Sequence, residues 1–351
     1  MILREALERR LGELHRELGF PGATAAIALP NGDLTHAGVG FADLERAEPM
    51  RRDQRMPAAS IGKTFVAAAA LRLQREGRID LDQPVFELLG HEPWWPRLPN
   101  ATSMTLRHLL SHSAGLEDHV FDSAWREEAQ KRRSRPDDEA WFRPHELVSV
   151  LLDREPLFAS GEGFHYTDTG YIVAGLALET ACGDVMDFID REFLTPLGLG
   201  DTEVQLGRRY ERLAAGYLSL SPNRKVADGG TMNLHPRTEW TGGGFVSCST
   251  DLARWARALY GGSVLSHEDV EAMLGSGFRE AGLTVSYGLG VFLETTEYGT
   301  VHGHGGWFPG WRSTLYRHRE SGISVAAQIN VSEPDHRAAV RDALFDLALA
   351  E

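Results

Sequence analysis

The strand-like stretches of this chain lie at its two ends, and a long, mostly helical middle separates them. Near the start, Ile2 to Leu18 has an amphipathic helix pattern. The apolar run Gly22 to Leu29, the turn Pro30-Asn31-Gly32-Asp33 and a return strand Leu34 to Gly40 follow it. From Ser286 onward the pattern turns to strands again, at Tyr287 to Leu293, Trp311 to Arg317 and Gly322 to Asn330, and His336 to Ala350 ends the chain as a helix. A sheet assembled from both ends, with the middle folded as its own unit, accounts for this order. The expected fold is therefore α+β, of the α/β sandwich type. It has an antiparallel sheet flanked by N- and C-terminal helices, an inserted mostly helical domain, and an active-site cleft between the two. Residues 1–59 and 280–351 fall to the sheet domain and 60–279 to the helical one.

Within the middle segment, Asp80 to Leu89 reads as a turn into a short helix and Thr105 to Leu110 as another. Glu117 to His145 is the most polar stretch and reads as a solvated helix and loop, with Trp125, Trp141 and Phe142 packing one side. Ile172 to Thr180 is helical, and Ser249-Thr250-Asp251 caps a helix from Leu252 to Tyr260.

A net charge of −14 over 351 residues argues against a nucleic-acid partner and against an anionic membrane surface. Cys182 and Cys248 form neither a Cys-x-x-Cys motif nor a disulfide framework, and read as buried thiols of a reducing compartment. The first helix lacks the apolar core of a signal peptide, and no run is long enough to span a bilayer, so the expected location is cytoplasmic.

Chemistry enters at Met56 to Gly77. Pro57 and Ala58 precede a run of strong helix formers, and Gly77 suits the left-handed residue that ends a helix. Ser60 then stands at the helix start with Lys63 one turn on, on the same face. A serine there can present its hydroxyl to a substrate while its N–H faces a developing oxyanion, and a neighbouring amine eases deprotonation. Ser-x-x-Lys alone is a weak signal. It gains from the rarity of lysine, which occurs only at 63, 131 and 225. Gly62-Lys63-Thr64 imitates a phosphate-binding loop, but that motif needs glycine where Pro57 stands. His108 and His112, four apart, lack a third ligand at metal spacing and read as hydrogen-bonding residues of a packed turn.

Two further stretches complete the pattern: Tyr166-Thr167-Asp168 in a compact loop, and His304-Gly305-Gly306-Trp307 in a strand region. Together with Ser60-x-x-Lys63, their order resembles the three motifs of the serine beta-lactamase and penicillin-binding-protein superfamily, in the class C branch of esterases, D-aminopeptidases and DD-carboxypeptidases. Leu106 to Leu116, Pro196-Leu197-Gly198-Leu199 and Thr241 to Leu259 also look like family signatures, and the resemblance runs from about Phe20 to Asn330. It implies Ser60 as acylated nucleophile, Lys63 as its activator and Tyr166 as general base and acid. It further implies backbone N–H groups of Ser60 and Trp307 as oxyanion hole, and Asp168, His304, Gly305 and Gly306 as substrate-binding residues.

Two positions depart from the family pattern. Asp168 stands where asparagine is usual; an acid beside Lys63 keeps it protonated, favours Tyr166 as base and suits a substrate with an amine or N–H. His304 stands where beta-lactamases mostly have lysine, which weakens the charge that recruits a substrate carboxylate and makes antibiotic hydrolysis a poor main activity. The expectation is a serine hydrolase acting on a small ester, amide or short peptide, without metal or organic cofactor. An acyltransferase using the same acyl-enzyme, with the aromatic loop Trp307 to Trp311 excluding water, and a non-catalytic binding homologue are the alternatives.

Overall fold

The computed structural model describes residues 2–221, 223–275 and 285–350. Eight strands form one antiparallel sheet: β1 (Gly22–Ala28), β2 (Leu34–Asp43), β3 (Glu48–Pro49), β4 (Val285–Tyr287), β5 (Phe292–Thr296), β6 (Gly299–Phe308), β7 (Trp311–His318) and β8 (Ser324–Ile329). Their order across the sheet is β4-β5-β6-β7-β8-β1-β2-β3, so the first and last parts of the chain meet where β1 pairs with β8. Every residue of β1 is buried, because both faces of the sheet are covered.

Side-chain alternation sorts those faces. Ala25, Ile27, Val325, Ala327 and Ile329 pack with Leu7, Leu11, Val340 and Phe345 of the terminal helices, Ile2–Leu18 and Arg337–Leu349. Ala26, Ala28, Leu315 and Ala326 instead join the larger core under the helical layer. The helix Ser249–Tyr260, though it belongs to the 60–279 segment, packs directly on β1, β7 and β8. The 279/280 boundary lies outside the described residues.

Three local expectations are corrected. The stretch Tyr287 to Leu293 is not one strand: Gly288 and Gly290 break it into β4 and β5, and Gly290 takes a φ of 69°. A Cβ at Gly290 would lie 2.7 Å from the carbonyl oxygen of Lys63, so this hairpin is pressed against the Ser60 helix. The helix expected from Ile172 begins at Asp168, with Thr167 as N-cap, and runs to Cys182. Ser249, Thr250 and Asp251 lie inside the first turn of their helix rather than before it, with Cys248 at the cap position. Their polar groups serve tertiary contacts instead: Ser249 Oγ lies 2.7 Å from Thr24 Oγ1, and Asp251 Oδ2 accepts the N–H of Asp201 at 2.8 Å.

Cys248 is buried as expected, whereas Cys182, at the end of the Asp168 helix, is half-buried; both are free. Among the described residues no helix is long and apolar enough to cross a membrane.

Candidate active site

Ser60 sits in a single 3-10 turn, Ala59–Ile61, that leads straight into the helix Gly62–Arg75. Ala59 takes a φ of 50°, a strained backbone for a residue with a side chain, and this turns Ser60 toward the cleft it lines. Ser313 Oγ donates to Ala58 O at 2.7 Å and ties the turn to β7.

Lys63 is fully buried one turn on. Its Nζ donates to Ser60 Oγ at 3.1 Å, Asp168 Oδ1 at 2.5 Å and Gly242 O at 2.5 Å, so its three protons are all engaged. The ammonium also lies 4.8 Å from the centre of the Tyr166 ring and 5.3 Å from that of Tyr171. Burial alone depresses an amine, but the Asp168 carboxylate and Tyr166 outweigh it and hold Lys63 above its ordinary range. An ammonium with every proton committed is a donor, not a base.

Tyr166 lines the same cleft as Ser60, and its hydroxyl is buried without a hydrogen-bond partner among the described residues. Burial pushes its phenol up to about 12, while the charge of Lys63 pulls the other way. At neutral pH Tyr166 is thus a phenol, with the Lys63 charge lowering the cost of its anion.

His304 is 1% exposed. Its Nδ1 donates to Gly305 O at 2.6 Å and its Nε2 accepts from the Tyr287 hydroxyl at 3.0 Å. Burial, then the nearby Lys63 charge, lowers it to about 3, so the imidazole is neutral and forms part of the wall. The glycines have reasons beyond substrate access. A Cβ at Gly306 would lie 2.1 Å from Ser313 Oγ and 2.3 Å from Ala58 O, and one at Gly305 would meet Arg337 Nη1 at 2.7 Å. β5 pairs with β6 only as far as Gly303, so 304–308 run past the Ser60 turn with no strand on that side among the described residues. Trp307, 47% exposed, opens onto the cleft, whereas Phe308 and Trp311 are core residues. The structure therefore does not gather Trp307 to Trp311 over the cleft as one aromatic shield.

His108 Nδ1 accepts the N–H of Thr105 and His112 Nδ1 that of Thr167, each at 3.2 Å, the turn-fastening roles expected of them. Several cleft residues escaped the sequence. The cleft, of about 590 Å³, is also lined by Phe292, Glu294, Tyr316, Asp335, Arg337 and Arg341. Its cations are paired: Arg341 with Glu294 at 2.6 Å and Arg337 with Asp335 at 2.6 Å. The only sequence signal was the run of charges entering the last helix, which looks like any solvated helix start.

With this geometry in view, comparison with known proteins is informative. A profile described as Beta-lactamase matches residues 5–350. Penicillin-binding protein 4* of Bacillus subtilis is 28% identical over 341 residues, covering 90% of this chain and 68% of that protein. Esterase EstB of Burkholderia gladioli is 31% identical over 212 residues, covering 60% of this chain and half of its own length. Among solved structures, a D-stereospecific amidohydrolase from Streptomyces sp. superposes with a TM-score of 0.83 at 28% identity, covering 97% of this chain and 98% of that one. The chain belongs to the beta-lactamase family and is an enzyme of its serine hydrolase type.

Proposed function

We propose that this enzyme cleaves small esters or amides through an acyl-enzyme on Ser60, with amine-bearing substrates, such as amides of D-amino acids, preferred. The observation that carries the reading is the single ammonium of Lys63, which donates to Ser60 Oγ at 3.1 Å while lying 4.8 Å from the Tyr166 ring centre. The reacting enzyme is the fraction in which Tyr166 has released its own proton to solvent, a phenolate stabilised by the adjacent Lys63 ammonium. Ser60 Oγ attacks the substrate carbonyl as its proton passes to that phenolate, restoring the phenol. Tyr166 then returns the proton to the leaving amine or alcohol, and water, entering by the same path, releases the acid and frees Ser60. The N–H groups of Ser60 and Trp307 take the oxyanion role.

Asp168, 14% exposed at its side chain, is an acceptor at the edge of the site and suits a substrate amine. A neutral His304 and arginines already paired with acids leave a substrate carboxylate little uncompensated charge, which supports the preference against beta-lactams. A small substrate is the partner this cleft suits, and no cofactor is needed for acyl transfer.

Incubation with a p-nitrophenyl ester tests the reading. A burst of nitrophenolate and an acyl mass increment on Ser60 are expected, both lost in Ser60→Ala. A folded wild-type protein giving neither sinks the proposal. A parallel screen of D- and L-amino acid amides against a chromogenic cephalosporin reads the substrate preference.

A further inference from the structure

Asp118 lies outside every motif, in the loop after the His112 turn, and is 6% exposed. Its Oδ2 accepts the backbone N–H of Asp168 at 3.0 Å, and its Oδ1 that of Val120 at 3.3 Å. Thr169 Oγ1 and His119 Nδ1 each approach Oδ1 at 3.5 Å. Asp118 therefore fastens the first residue of the Asp168 helix, and that residue's own carboxylate holds Lys63 at 2.5 Å.

Glu239 approaches from the other side. Its backbone oxygen accepts from Gly242 N at 2.6 Å, Gly242 O accepts from Lys63 Nζ, and its carboxyl Oε2 is buried without a partner among the described residues. Asp168, Asp118 and Glu239 thus surround one buried ammonium, with His119 beside them. Asp168 already pairs with Lys63, so the two buried carboxyls of Asp118 and Glu239 cannot both ionise there without leaving charge uncompensated. Burial, then the charge of Asp168, holds Glu239 well above the usual carboxyl range, so it stays neutral. For Asp118 burial, then Asp168, raises the carboxyl to about 7, and its N–H donors and Lys63 limit that rise. His119, lowered to about 4 by burial, is neutral and adds no charge. Asp118 is the member of the group placed to change state near neutral pH.

We propose that Asp118 is a positioning residue for the reaction at Ser60, fixing Asp168 against Lys63 and setting by its ionisation how much of the ammonium's field acts on Tyr166. The assignment rests on the acyl-enzyme reading above. With Asp118 neutral, Asp168 alone opposes Lys63, and the remaining positive field favours the phenolate character Tyr166 needs. With Asp118 ionised, a second carboxylate cancels that field and acylation slows.

The test compares kcat/KM for a p-nitrophenyl ester in wild type, Asp118→Asn and Asp118→Ala, from about pH 5.5 to about pH 8.5. Asparagine keeps an oxygen acceptor for the Asp168 N–H but cannot ionise; alanine loses both. The Asn-to-wild-type ratio is expected to rise about threefold or more through neutral pH, and Asp118→Asn to recover most of what Asp118→Ala loses. A ratio constant across that range overturns the assignment. Should Asp118→Asn fail to fold, the wild-type profile decides, and the absence of any bend between about pH 6 and about pH 8 overturns it. Mass spectrometry of wild type separates the two readings: no adduct on Ser60 overturns both, whereas an adduct with a constant ratio overturns only the role of Asp118.

Discussion

At Gly306 any side chain would collide with Ala58 O and Ser313 Oγ, the two atoms that hold the Ser60 turn against β7. Gly306→Ala is therefore expected to cost about 1–3 kcal/mol of stability through overpacking and to lower the acylation rate as the turn shifts. Urea unfolding and burst kinetics check this; a variant like wild type in both would contradict it. Tyr166 makes the opposite case. Its hydroxyl meets no partner at good hydrogen-bond geometry among the described residues, although Ser60 and Lys63 lie near enough to act on it, so Tyr166→Phe is expected to change stability by no more than about 1 kcal/mol. Its kcat is expected to fall by about 10²–10⁴, as for loss of a general base and acid; a fall of less than tenfold would remove Tyr166 from that role. The association of Ser60 with Lys63 was legible because three residues on a helix are one turn, a local fact. Asp118, Glu239, Gly242 and Arg337 were not, because their nearness to Lys63 or to β6 is set by tertiary packing, and single charged residues leave no periodic trace.

Among the elements, the strands of the first hairpin and of β7 and β8 were readable because alternation and turn residues agree there. The elements misread were those where local signals compete with distant partners. Thr167-Asp168 is a good helix start, a capping hydroxyl followed by an acid, yet it lay hidden inside an aromatic loop motif. Thr167 Oγ1 accepts from Gly170 N at 3.4 Å and donates to Glu117 O at 2.8 Å, joining the Asp168 helix to the loop that carries Asp118. Thr167→Ala is expected to lower stability by about 1 kcal/mol and to reduce kcat more than it changes KM, since Asp168 is displaced rather than removed. Denaturant titration with steady-state kinetics measures both. A change in KM alone would mean that the cap does not position Asp168.

For the whole molecule, pH acts through groups buried in their neutral forms. His119 and His235 are lowered to about 4, His302 and His304 to about 3, and His112 well below its ordinary value, in every case chiefly by burial. Between those values and the unfolded value near 6.5, the unfolded chain binds protons at these five positions that the folded chain refuses. Asp118 and Glu239 work in the opposite sense: raised by burial, they are protonated when folded and ionised when unfolded over the same range. His36, His108 and His336 are lowered and Glu179 and Asp251 raised in the same way. Among the described residues eight imidazoles thus stand against four carboxyls, so the unfolded state has the larger proton uptake and stability falls on acidification. Each unbalanced proton is worth about 1.4 kcal/mol per pH unit, and the loss begins below about pH 6.5, before carboxylates such as Asp53, held at about 2 by Arg51, begin to protonate. Thermal unfolding followed in steps from about pH 7.5 to about pH 4.5 should show the midpoint dropping steadily through the histidine range. A midpoint flat down to about pH 5 would mean that the buried imidazoles are charged in the folded protein, and with them the neutral His304 on which the preference against carboxylate substrates depends.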